Sequence, residues 1–180
     1  MFTVHTADSA PAGSAAALTA LRQRIGVGPN LAASMAGSPT LISGFVALQQ
    51  VLRDSTLTGA EREVIGLTVR DENACRWSMA AHSVFADGNG VPGDVVEALR
   101  AGKPLPDPRL HTLHEFTATL LRTRGHVSAE QTDALRAASF DTEQMLEVIA
   151  QTAYTSMANW VANLADPPLD EAFRPREWSP

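Results

Sequence analysis

The chain has 180 residues, of which 44% are hydrophobic and 19% charged, which marks an ordered globular protein of a size that suits one domain. Its formal net charge of −6, with no Lys/Arg run to offset it, excludes nucleic acid and anionic membrane surfaces as partners. The single cysteine excludes an internal disulfide framework and fits a reducing compartment; no apolar run reaches the roughly 20 residues of a membrane span.

Residues 1–13 show neither a basic start nor an unbroken apolar core, so they read as an irregular arm without a secretory signal, and the chain is expected in the cytoplasm. From Ser14 to Arg24 an Ala- and Leu-rich segment is helical in propensity, and Gly26, Gly28 and Pro29 end it; Asn30 is expected to cap a short turn. Ser38 and Pro39 give an N-cap and a proline at the first helical position. Leu41, Ile42, Phe45, Leu48, Val51 and Leu52 then follow helical spacing, forming either core or the wall of a substrate pocket. Thr58 and Glu61 form a capping box, which starts a helix running through Val64, Leu67 and Thr68 to Asp71. A second helix is expected after Asn73 as N-cap, broken by Gly88 and Gly90, and the amphipathic helix before it is expected to pack against this pair.

Pro92 to Ala101 reads as a short helix ended by Gly102, followed by a proline-punctuated linker from Lys103 to Pro108. Asp107 and Pro108 start a longer helix with the buried stripe Leu110, Leu113, Phe116, Thr117 and Leu120. His111 and His114 on that helix lack an HExxH-type arrangement, so they read as ordinary polar-face histidines and no metal is expected. Two further capping boxes, Ser128 with Gln131 and Asp141 with Gln144, start the last two helices. The final one carries Met145, Leu146, Ile149, Ala153, Met157, Trp160, Val161 and Leu164, a wider apolar face than one core contact needs, which points to a subunit contact. Residues 166–180 form a tail with the anchors Phe173 and Trp178, expected to lie over a neighbouring surface and to share in the contact between subunits. No segment alternates at period two, so residues 1–180 read as a single all-α domain of about seven or eight helices.

The chemistry concentrates between Thr58 and Gly90. Cys75 falls near a helix N-terminus, where unpaired N–H groups and the helix dipole favour an exposed, nucleophilic thiolate. At about 100° per residue, Cys75, Ser78 and His82 lie on one stripe, with His82 leaning back towards Ser78. If the two helices pack antiparallel, Glu63 faces that stripe, and burial would raise its pKa towards that of a useful proton acceptor. The plain alternative is that the lone cysteine is a small buried apolar residue.

Glu63, Cys75 twelve positions on, then Ser78 and His82, with Ala86 and Gly90 following, resembles the core motif of the alkylhydroperoxidase D and carboxymuconolactone decarboxylase family, which reads E and then C-x-x-C-x-x-x-H. The flanking TGAEREVIGLTV and AAHSVFADGNGVPGDVVEAL are similar to it, and NWVANLADPPLDEAFRPREW is similar to tails of peroxidase-related members, so the likeness runs from about Leu41 onward. Ser78 stands where the family has its second cysteine, and Trp77 where it often has a histidine. A hydroxyl forms no sulfenic acid or disulfide, so a dithiol cycle is closed to one subunit. The resemblance implies an alkylhydroperoxidase D-like helical bundle assembled as a homo-oligomer, a trimer or a hexamer. It further implies an antioxidant, thiol-dependent peroxidase of peroxiredoxin type that needs no cofactor. Cys75 would be the nucleophile, Glu63 and His82 would move protons, Ser78 would hold water or a peroxide oxygen, and an external thiol would recycle Cys75. The alternatives are a decarboxylase-like lyase or isomerase acting on a small carboxylated substrate, with Cys75 only lining the pocket, and a degenerate, non-catalytic homo-oligomer.

Overall fold

A computed structural model describes residues 2–25 and 29–179; Gly26 and Gly28, read as helix breakers, lie outside them. Among the described residues there are nine α-helices, one 3-10 helix and no strand. The helices are α1 (Ala12–Ile25), α2 (Asn30–Met35), α3 (Pro39–Arg53), α4 (Gly59–Glu72), α5 (Arg76–Gly88), α6 (Gly93–Arg100), α7 (Pro108–Arg122), α8 (Ala129–Ala137) and α9 (Thr142–Ala165), followed by the 3-10 helix Glu171–Arg176. No helix among them is long and apolar enough to cross a membrane.

The caps form as the sequence dictates. Ser38 and Asp107 accept from the third residue beyond them, with proline in the first turn, and the boxes at Thr58/Glu61, Ser128/Gln131 and Asp141/Gln144 all close in both directions. Asn30 does not cap α2: Pro29 takes that place, and the Asp170 carboxylate accepts from the Asn30 N–H instead.

The hub is α4, which packs against α5, α6, α7 and α9. Every residue from Val64 to Arg70 is buried, so this helix is enclosed all round, a state its mixed sequence does not advertise. One aliphatic cluster joins α4 to α6, α7, α8 and the start of α9; a second joins α1, α2 and α3 to the later turns of α9 and includes Cys75. The expected docking of α3 on the α4–α5 pair is replaced by contacts with α1, α2 and α9, and Val51 is exposed. The tail lies along α5 of its own chain, with Phe173 1% exposed against Trp77 and Phe85. That corrects the expectation that both tail aromatics serve another subunit: Phe173 is used here, and Trp178 donates Nε1–H to the Arg100 carbonyl.

Candidate functional site

The connection between α4 and α5 sets the site. Asn73 closes α4 rather than opening α5; Ala74 takes a left-handed conformation at φ 47°, and Cys75 itself is the N-cap of α5. The Cys75 N–H returns to the Arg70 carbonyl at 2.9 Å and the Ala74 N–H to the Asp71 carbonyl at 2.9 Å, the paired bonds of a Schellman motif. This tight reversal lays α5 back along α4, so that His82 meets Glu63.

His82 Nδ1 lies 3.1 Å from Glu63 Oε2, and Asn89 Nδ2 donates to Glu63 Oε1 at 3.3 Å. Burial drives the His82 pKa down to about 4, with the Arg70 charge acting in the same direction. Burial alone would push Glu63 up, as expected from the sequence, but the His82 interaction, the Arg70 charge and the Asn89 amide together bring it below its ordinary value. That corrects the expectation of a raised carboxyl. A carboxylate only accepts, so neutral His82 donates Nδ1–H to Glu63 and is left with Nε2 as a basic lone pair. The proton acceptor is therefore His82, with Glu63 as its orienting anion.

Both residues line a cavity of about 550 Å³, enclosed by parts of α3, α4, α5 and α9 together with Pro29 and α2. Ser78 lines it too, one turn before His82. The expected reach of His82 to Ser78 is not made, because the imidazole turns to Glu63. Phe45, Trp77, Phe85 and Tyr154 form apolar walls, Phe45 and Tyr154 stacking at 4.6 Å. The α3 helix is thus both core and pocket wall, the two readings its spacing left open.

Cys75 is placed differently. It is 0% exposed and does not line the cavity; its Sγ donates to the Asn159 carbonyl at 3.8 Å within the second aliphatic cluster. The helix terminus is where it was expected, but the exposed thiol is not, because α9 packs over it.

Arg70, which from the sequence is, like Arg76, merely an arginine near the motif with no certain role in binding a carboxylate, is 1% exposed in the last turn of α4 and on the cavity wall. A visible signal was an arginine seven positions after Glu63, hence on its face of the helix, at the end of an apolar run. Elsewhere His114 Nδ1 meets Thr68 Oγ1 at 2.8 Å and stacks on His111, and among the described residues no group of three His, Cys, Asp or Glu side chains is placed to hold a metal.

No family model and no curated protein matches the chain. Among solved structures it is similar to an uncharacterized peroxidase-related protein from Ralstonia eutropha JMP134, described as an alkylhydroperoxidase AhpD core, at TM-score 0.84 and 22% identity over 96% of this chain and 93% of that one. It is similar also to an uncharacterized peroxidase-related protein from Silicibacter sp. TM1040 (TM-score 0.79, 20% identity, 96% and 91% covered). A third likeness is to the debrominase Bmp8, solved with 2,3,4-tribromopyrrole (TM-score 0.75, 17% identity, 89% and 87% covered). The fold is that of the alkylhydroperoxidase D core.

Proposed function

We propose that this chain, built on the alkylhydroperoxidase D fold, is an acid–base enzyme that moves a proton on a small molecule held in the α4–α5 cavity. The observation that carries the reading is the His82–Glu63 pair on the cavity wall, with Cys75 buried away from it. His82 Nε2 takes a proton from an acidic C–H of the substrate, Glu63 stabilises the imidazolium that forms, and Ser78 supplies a hydroxyl to a substrate oxygen. Return of the proton to another atom gives isomerisation; decarboxylation of a carboxylate consumes a proton instead, which a protonated His82 would deliver to the carbon that has released carbon dioxide. Deuterium incorporation from D₂O into a panel of unsaturated lactones, β-keto acids and phenols tests this by NMR. Exchange that falls by about 10²–10⁴ in His82→Gln and Glu63→Gln is the expected result. Exchange equal in all three proteins overturns the roles assigned.

A thiol peroxidase is the second reading. It is favoured by the place of Cys75 at the α5 N-cap, one turn from Ser78, and by likeness to peroxidase-related proteins. The peroxide oxygen would pass to the Cys75 sulfur as a sulfenic acid, which an external thiol would reduce. Mass spectrometry after peroxide titration separates the two readings: an unmodified Cys75 at equimolar peroxide supports proton transfer, whereas stoichiometric oxidation supports the peroxidase.

For the assembly we propose a homo-oligomer formed through α9, whose Leu146, Ile149, Trp160 and Leu164 are exposed, the last two at 64% and 71%. They fall on one helical stripe, a face suited to a second copy. Sedimentation equilibrium is expected to find more than one chain per particle, and Trp160→Glu to shift the population towards monomer. A wild-type monomer at micromolar concentration would refute it.

A further inference from the structure

The cavity contains a cation that no carboxylate among the described residues pairs with directly. The Arg70 guanidinium is buried and lies on the cavity wall, yet its Nε and Nη1 have no hydrogen-bond partner and it makes no ion pair among the described residues. The nearest carboxylate in charge terms, Glu63, is already engaged by His82 and Asn89. A buried guanidinium without partners is costly, so a protein that keeps one keeps it for something that completes the site.

Two further observations point the same way. Gly66, one turn before Arg70, leaves the space into which the guanidinium folds: a Cβ there would stand 2.1 Å from Nη1 and 3.0 Å from Cζ. The cavity is also lined by three arginines, Arg53, Arg62 and Arg70, against the one carboxylate of Glu63, in a chain whose net charge is −6. Arg53 is exposed and Arg62 half-buried, so positive charge leads inward to Arg70. The walls between them are aromatic.

We infer that Arg70, seated over Gly66, is the anion-binding group of this cavity, and that the ligand is a small monocarboxylate with a flat, apolar body. A planar guanidinium matches the two oxygens of a carboxylate, and Phe45, Trp77, Phe85 and Tyr154 fit an aromatic or unsaturated body. Binding there also cancels the charge that, after burial, most depresses the proton affinity of His82. The inference rests on the proposed function only in taking this cavity as the substrate site; the anion subsite is testable without turnover.

Isothermal titration calorimetry of the full chain with benzoate and with benzamide, the neutral isostere, tests it. Wild type is expected to bind benzoate at least about tenfold more tightly than benzamide, the scale of a charge-assisted contact. Arg70→Met, which keeps volume and removes the charge, is expected to erase that preference, whereas His82→Gln retains it. Gly66→Ala, which keeps the arginine but displaces it, is expected to reduce the preference several-fold and serves as the second variant should Arg70→Met not fold. Equal binding of the two probes by wild type, no benzoate binding, or a preference that survives both substitutions overturns the inference. Absence of deuterium exchange in wild type, with the benzoate preference intact, would overturn the proton-transfer reading alone.

Discussion

On one face of α4, Glu61, Thr68 and Glu72 each meet a partner on α7: Arg109 at 2.7 Å, His114 at 2.8 Å and Arg122 at 2.5 Å. On the opposite face Glu63 meets His82 of α5, and Arg70 Nε and Nη1 have no hydrogen-bond partner among the described residues. Both faces are buried in the same helix, so burial alone does not separate structure from function. The difference lies in whether each polar group is answered within the chain. The first face is a seam, complete without a ligand; the second is complete only with one.

The seam should be the easier face to damage. Arg109→Leu strips Glu61 of its cation while leaving the carboxylate 4% exposed, and it also removes the guanidinium stacked 3.7 Å over Phe140. A loss of about 2–3 kcal/mol in denaturant unfolding is expected: buried Glu61 loses its cation, but Arg109 is 36% exposed and the Thr58 N–H still donates to the carboxylate. Arg70→Met on the other face should leave stability unchanged or raise it, since the burial cost of an unpaired guanidinium is relieved and only its charge interaction with Glu63 is lost; a comparable loss in both variants would break the comparison.

Acid should act on the cavity face. His82 titrates at about 4 in the folded chain against an ordinary 6.5, so the unfolded chain binds more protons between those values. The stability this neutral histidine contributes is whole above pH 6.5 and is lost as pH falls towards 4, by up to about 3 kcal/mol. Unfolding curves between pH 7 and 4 would show a slope that His82→Gln lacks. The smallest effect is expected at the junction of the two helices. Ala74 sits at φ 47°, where glycine carries no Cβ penalty, so Ala74→Gly should stabilise by about 0.5–1 kcal/mol in thermal melts.

What the sequence disclosed was mostly local. Capping boxes and first-turn prolines name their own helices, and the spacing of Glu63 and His82 places them together once the two helices reverse. What it hid depends on which neighbour arrives from afar. Cys75 is at a helix terminus, as its surroundings indicate, but whether its thiol is bare is decided by α9, some 84 residues on. Arg70 looks like any helical arginine until the glycine one turn before it is seen to house its head group. The pKa of Glu63 was misjudged for the same reason: burial was foreseeable, whereas the opposing donors come from α5 and Asn89.

The contact between Asn30 and Asp170 has a bearing on how the molecule is made. Asp170 accepts from the N–H that opens α2, 140 residues earlier, and the Pro168 carbonyl accepts from both Asn30 Nδ2 and Trp77 Nε1. Two walls of the cavity are thus tied down by a segment that leaves the ribosome many seconds after they do, at about 5–20 residues per second. During translation α4 and α5 can pair, but Trp77 and α2 wait for their anchor. The finished cavity is accordingly one of the last features of the protein to form, and a nascent chain stalled before residue 168 would carry the His82–Glu63 pair without a closed vessel around it.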